Sequence, residues 1–259
     1  MNSLILQKQE EVIALAQFDI KDAVLKKCLL KEDETVITVP DGVTTIGKDA
    51  LCGLQSVIAV TLPESLKVIN DGAFYGCSSL TSVTLPGSVE RLGSCAFAQC
   101  STLNKIYLDN KLTEIGNSAF WGCTSLESID IPEGVTKIGY NLFGSCLSLI
   151  SVSLPDTVTE LDERAFKECT SLACITLPDS LTKIGNMAFL NCHNLKSVNI
   201  PDRLESIGEK AFFMCESLHE LEIPDGIASV GGDAFSDCVS VTVRSTISGK
   251  PLYKAVTAT

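Results

Sequence analysis

Phenylalanine recurs at Phe74, Phe97, Phe120, Phe143, Phe166, Phe189, Phe212 and Phe235, always 23 residues apart. A cysteine follows each of them by three residues, from Cys77 to Cys238. Proline keeps the same count at Pro40, Pro63, Pro86, Pro132, Pro155, Pro178, Pro201 and Pro224, with Asp109 in the one gap. A 23-residue unit is too short to bury its own apolar face. It must stack on its neighbours, so the chain is expected to be a solenoid of nine coils over about residues 35–245.

One unit shows how a coil is built. In Leu80–Pro86, Val83 and Leu85 alternate with Thr84, the period-two pattern of a short strand with one buried face. Pro86 lacks an N–H and ends that strand. Val89–Leu92 reads as a second extended segment. The next column holds Gly47, Asn70, Gly93, Gly116, Gly139, Asp162, Gly185, Gly208 and Gly231. These residue types accept positive φ most easily, so a left-handed kink is expected there in every coil. Ala96–Cys100 then places Phe97 and Cys100 on one side of an expected helical turn.

Composition narrows the class. Apolar residues make up 45% of the chain, enough for a continuous core, and no apolar run approaches a membrane span. The net charge of −12 argues against nucleic acid and anionic membranes, which need a basic footprint. The first residues lack a basic region followed by an apolar stretch. The expectation is therefore no secretory signal: the chain works inside the cell, or a leader lies outside it. Eight of the twelve cysteines share one column. Their side chains should point inward in parallel, which suits buried free thiols better than disulfides or a zinc tetrahedron. Cys52 and Cys174 are the expected exposed exceptions.

The motif L-x-x-I-x-L-P-x-x-L-x-x-I-G-x-x-A-F-x-x-C is carried by Leu172-Ala-Cys-Ile175-Thr-Leu177-Pro178, Leu181-Thr-Lys-Ile184-Gly185 and Ala188-Phe189-Leu-Asn-Cys192. It resembles the leucine-rich repeat family in the variant typified by bacterial surface antigens of the BspA type. The resemblance implies a right-handed coil of low curvature, with short parallel β-strands and a short helical turn per repeat. It also implies a non-catalytic protein-interaction scaffold at a bacterial cell surface, in adhesion or host-component binding, with a protein or glycan ligand and no cofactor. A self-associating structural solenoid is the alternative, and an enzyme the second alternative. Residues 1–34 are expected to form an N-terminal tail and capping hairpin, with Phe18–Ile20 and Val24–Leu25 flanking its turn. Residues 5–17 are expected as a helix or frayed tail. Residues 246–259 are expected as a C-terminal cap, with Pro251–Tyr253 over the last coil.

Side chains that could carry chemistry are few. His193 and His219 do not share a column, and no serine, cysteine or carboxylate is forced beside either, so a catalytic triad has no support. Gly231–Gly232 continues a structural column and lacks a phosphate-loop pattern. On the outward face of the first strand most positions are Ser or Thr, as on a solvated sheet. The departures cluster at Lys105, Tyr107, Glu127 and Asp130, where an aromatic flanked by charges could anchor a ligand. Leu190, Phe213 and Met214 could form an apolar contact patch or fold back over the turns. After each proline, Glu133, Asp156, Asp179, Asp202 and Asp225 form a run of acidic turn residues. This ridge is either turn chemistry or a collector of divalent cations.

Overall fold

The computed structural model describes residues 17–30, 34–219, 221–224 and 226–238, together with the strands at 246–247 and 250–251. The readings made for residues 5–16, for Leu252–Tyr253 and for Asp225 lie outside the described residues. The chain is a parallel-strand solenoid of about nine turns. Coils are numbered here from residue 35, so Asn104 opens coil 4 and Glu127 opens coil 5.

Each coil has three sides. The first carries a short strand, as at Ser82–Thr84, with its central residue buried and its flanks exposed. The second carries a two-residue strand, as at Arg91–Leu92. Equivalent strands pair in parallel with no slip, Val68 with Arg91 and Ile69 with Leu92 for example. A slip of one residue would turn every apolar side chain outward, so the buried column fixes the register. Strands β1 (Gln17–Lys21) and β2 (Val24–Leu29) form an antiparallel hairpin ahead of coil 1. Strand β2 pairs with Thr45–Ile46 of coil 1. It covers the open end of the core with Leu25 and Cys28, both buried. Beyond the coils, Thr246–Ile247 pairs antiparallel with Lys250–Pro251.

The third side corrects two expectations. Among the described residues it contains no helix, only successive turns. The glycine column is not left-handed either. Positive φ instead falls two residues before and two after each Phe, as at Cys95 (54°) and Gln99 (60°). These left-handed residues make successive N–H groups alternate in direction. Cys95, Phe97 and Gln99 donate to Asn117, Ala119 and Trp121 of the next coil, while Ala96, Ala98 and Cys100 close turns onto Gly93, Cys95 and Phe97. A continuous helix would point every N–H along its own axis and leave the next coil unbonded. Each non-glycine left-handed residue costs about 1–2 kcal/mol, offset by the bonds it aims. The glycines answer a different need. A Cβ on Gly185 would lie 2.6 Å from the backbone carbon of Asp162 and 2.6 Å from the nitrogen of Glu163 on the preceding coil. The coils approach too closely there for most side chains.

Inside, eight Phe rings form one continuous stack, with centroids 4.8–5.9 Å apart and planes within 18°. Flat rings match the spacing that the backbone bonds impose. Beside them, the column cysteines donate their thiols backwards at 3.1–3.2 Å, as from Cys100 Sγ to the Phe74 carbonyl. All twelve cysteines are free, and Cys52 and Cys174 are exposed. Burial pushes the Cys146 thiol from the ordinary 9.0 up to about 12, with the Cys123 backbone, a different partner from the carbonyl it donates to, acting in the other direction. Cys192 is likewise raised to about 12.

Phe166→Ala should cost roughly 3–5 kcal/mol, the usual loss for a large buried truncation. Both of its ring neighbours lose a stacking partner at 5.3 Å. A denaturant titration showing less than about 1 kcal/mol would mean that the stack is not the core.

The thiol column also sets a pH dependence. Folded thiols titrate above unfolded ones, so the native state holds more protons once pH exceeds 9. This stabilisation is complete below pH 9 and is lost as pH rises toward 12. The melting temperature should fall through that window, and Cys146→Ala with Cys192→Ala should flatten the fall.

Candidate functional site

The structure places Lys105 and Tyr107 at the two ends of the first strand of coil 4, both pointing to solvent. Ile106 between them points into the core. Alternation on the strand therefore puts the two side chains on one face. The Lys105 Nζ sits 4.7 Å from the Tyr107 ring centroid, a cation–π contact. Tyr107 is 54% exposed, so the ring is held at the surface by the lysine and not by burial. Hydrogen bonding to Tyr107 first, then the charges of Tyr107 and Asp130, hold the Lys105 ammonium above the ordinary lysine value.

Glu127 and Asp130 lie on coil 5, both exposed. Asp130 closes the first strand, whose register sets it against Ser153 of coil 6. The four candidates therefore share the outer face of two consecutive coils, bordered by Ser82 and Thr84 on one side and Ser151 and Ser153 on the other. Ile150, 57% exposed, opens coil 6, and its N–H donates to the Glu127 carbonyl at 2.8 Å. Sequence reasoning missed it. The signal was the column Thr35, Ile58, Thr81, Asn104, Glu127, Ile150, where two isoleucines stand among polar residues. With Ile150 the face offers an aromatic ring, one cation, two carboxylates and an apolar edge.

The apolar candidates are only partly available. Leu190 and Phe213 are half-buried on consecutive coils. Met214, one of the left-handed residues, is 37% exposed. The acidic ridge is exposed at Glu133, Asp156, Asp179 and Asp202, one carboxylate per coil. Among the described residues, no three His, Cys, Asp or Glu side chains converge on a point that could hold a metal ion.

The histidines serve local contacts. His219 Nδ1 lies 2.7 Å from the Ser217 carbonyl, which can only accept, so that nitrogen carries the proton. His193 Nδ1 is 3.5 Å from Glu216 Oε1. An open groove of about 530 Å³ runs along the glycine column of the later coils, where Asp162, Glu163, Lys183, Asn186 and Glu209 line it. Asn186 Oδ1 is occupied in accepting the Glu209 N–H at 2.8 Å. On the second side, charges alternate between coils: Arg91 meets Glu114 at 3.1 Å, and Lys137 meets Glu160 at 3.5 Å and Asp162 at 3.0 Å.

A sequence model of the BspA type leucine-rich repeat region matches residues 19–150 and 137–250, in six copies. Among proteins with curated descriptions, none matches the chain. Among solved structures, the chain is similar to a leucine-rich repeat protein from Bacteroides ovatus at 22% identity, covering 90% of this chain and 81% of that one, with a TM-score of 0.69. It is similar to the Leucine Rich Repeat protein of T. pallidum at 30% identity, covering 79% and 88%, with a TM-score of 0.60. It is also similar to a leucine rich cell surface protein from Faecalibacterium prausnitzii at 26% identity, covering 88% and 86%, with a TM-score of 0.55.

Like charges on successive coils, roughly 5 Å apart, repel one another, and salt screens them. The melting temperature should therefore rise between low and physiological ionic strength. Asp179→Asn with Asp202→Asn should reduce that rise. Millimolar Ca²⁺ at matched ionic strength should add nothing, and a well-resolved additional increase would establish a cation site on the ridge.

Proposed function

The chain belongs to the BspA-type leucine-rich repeat family, and on that premise we propose that it is a binding scaffold. Its ligand is a protein or glycan, and its setting is adhesion or host-component binding at a bacterial cell surface. Leucine-rich repeat solenoids are typically non-catalytic, and their interior is repeated while their surface varies. The surface is therefore where specificity resides. The observation that carries this reading is the clustering of Lys105, Tyr107, Glu127, Asp130 and Ile150 on a face whose other strand positions are mostly Ser and Thr. A ring already held by a cation loses little freedom on binding, which is the property of a hot-spot residue. The surface setting draws support from the cell-surface description of the F. prausnitzii protein.

A second reading is self-association. It draws support from the capping hairpin, where β1 is an edge strand and Ile20 (39%) and Leu29 (52%) are exposed. Light scattering across a concentration series separates the two readings.

The direct test is a binding screen against extracellular matrix proteins and bacterial glycans. For any ligand found, Tyr107→Ala should weaken binding at least about tenfold, the equivalent of 1.4 kcal/mol. Its melting temperature should stay near that of the parent, because the ring is exposed. A ligand whose affinity ignores Tyr107, Asp130 and Ile150 together would move the site elsewhere.

A further inference from the structure

Among the described residues, the ladders of the solenoid break on both strand-bearing sides at one place only. First-side strands pair through coils 1–4 and resume at coil 5, and again at coil 7. Second-side strands pair from the hairpin through coil 4, and resume as a separate sheet from coil 5 to coil 9. Between coils 4 and 5 both ladders stop together. Elsewhere the second side is tied by pairs of bonds such as Thr159 N–H to the Thr136 carbonyl (2.9 Å) and Asp162 N–H to the Ile138 carbonyl (2.8 Å). Among the described residues, no equivalent bonds run from Thr136 and Gly139 to coil 4. The charge ladder skips the same step, because Lys137 turns to Glu160 and Asp162 and leaves Glu114 to Arg91. On the first side one bond survives, Glu127 N–H to the Asn104 carbonyl at 3.3 Å.

The third side stays closed. Ser118, Phe120 and Gly122 donate to Tyr140, Leu142 and Gly144 at 2.9, 3.1 and 2.9 Å. The Phe120 bond is longer than its equivalents from Phe97 and Phe143, at 2.8 and 2.9 Å. The chain supplies a cause at this point. The residue before each column Phe is alanine in every coil except coil 5, where Leu142 stands fully buried. Three extra carbons in a column packed for a methyl group push neighbouring coils apart. Coil 4 also carries Asp109 where the other coils have proline.

We infer that the solenoid is two rigid blocks, coils 1–4 with their hairpin and coils 5–9, joined by a hinge whose pivot is the third side and whose wedge is Leu142. Opening the hinge separates Lys105 and Tyr107 on one block from Glu127 and Asp130 on the other. If the proposed ligand face is correct, a ligand that spans it is gripped or released by the hinge angle.

Hydrogen exchange on the ligand-free protein tests the hinge alone, so its outcome is independent of whether any ligand is found. The amides of Thr136 and Gly139 should exchange at least tenfold faster than those of Thr159 and Asp162. Those of Ser118, Phe120 and Gly122 should match Asn141, Phe143 and Ser145. Equal protection at Thr136, Gly139, Thr159 and Asp162 would overturn the hinge. So would fast exchange at Ser118–Gly122, because the coil would then be unfolding instead of pivoting. Leu142→Ala should slow Thr136 and Gly139 toward their neighbours, and unchanged exchange in that variant would remove Leu142 as the wedge.

Discussion

Most of this protein follows from one constraint: each coil is held to the next by backbone hydrogen bonds on its three sides, and only between coils 4 and 5 do both strand ladders part together. On two sides that is ordinary parallel strand pairing. On the third there is no strand, and left-handed residues either side of Phe re-aim alternate N–H groups toward the neighbouring coil. The same distance excludes a Cβ at most glycine-column positions, limits the column before Phe to alanine, and selects a flat ring and a small thiol for the interior. Side chains are repeated because the backbone spacing is repeated.

That dependence explains where variation is tolerated. Outward positions on the strands lie outside the packed interior, so they can carry Thr, Lys, Tyr or Asp without disturbing the stack, and Asn199 even bonds across to the Leu177 backbone of the preceding coil. The island at Lys105 and Tyr107 is therefore compatible with a regular interior beneath it, with Ile106 and Ile129 buried directly below. Interior departures behave differently. Leu142 replaces an alanine of the stacking itself, and the ladders fail beside it.

Much of this was legible in the sequence and some was not, for identifiable reasons. The period placed the strands, the Phe column and the buried cysteines, because burial and register are both functions of spacing. The surface island was visible as a break in Ser/Thr columns. The third side was not: Ala-Phe-x-x-Cys has helical spacing, and only the demand for inter-coil bonds converts it to alternating turns. Gly93 and its counterparts were read through glycine's conformational freedom, yet what matters there is its lack of volume. Thiol hydrogen bonds to the preceding Phe carbonyls have no sequence signal. The break at coil 5 did have one, since Leu142 is the single exception in a column of alanines, but an exchange of one apolar residue for another reads as silent until the packing is seen.

The cysteine column has a consequence for the lifetime of the molecule. At neutral pH a thiol titrating near 12 holds about a thousandfold less thiolate than one titrating near 9, and the thiolate is the species that oxidants attack. Folding therefore shelters these thiols by suppressing their small thiolate fraction as well as by covering them. Once a coil opens, its cysteine becomes both accessible and ionisable, and sulfur oxidation then bars the return to a site sized for a bare thiol. In an oxidising medium, survival is set by how often coils open and not by the equilibrium between folded and unfolded chains. The molecule would age as a ratchet, losing coils irreversibly from wherever its stack first parts.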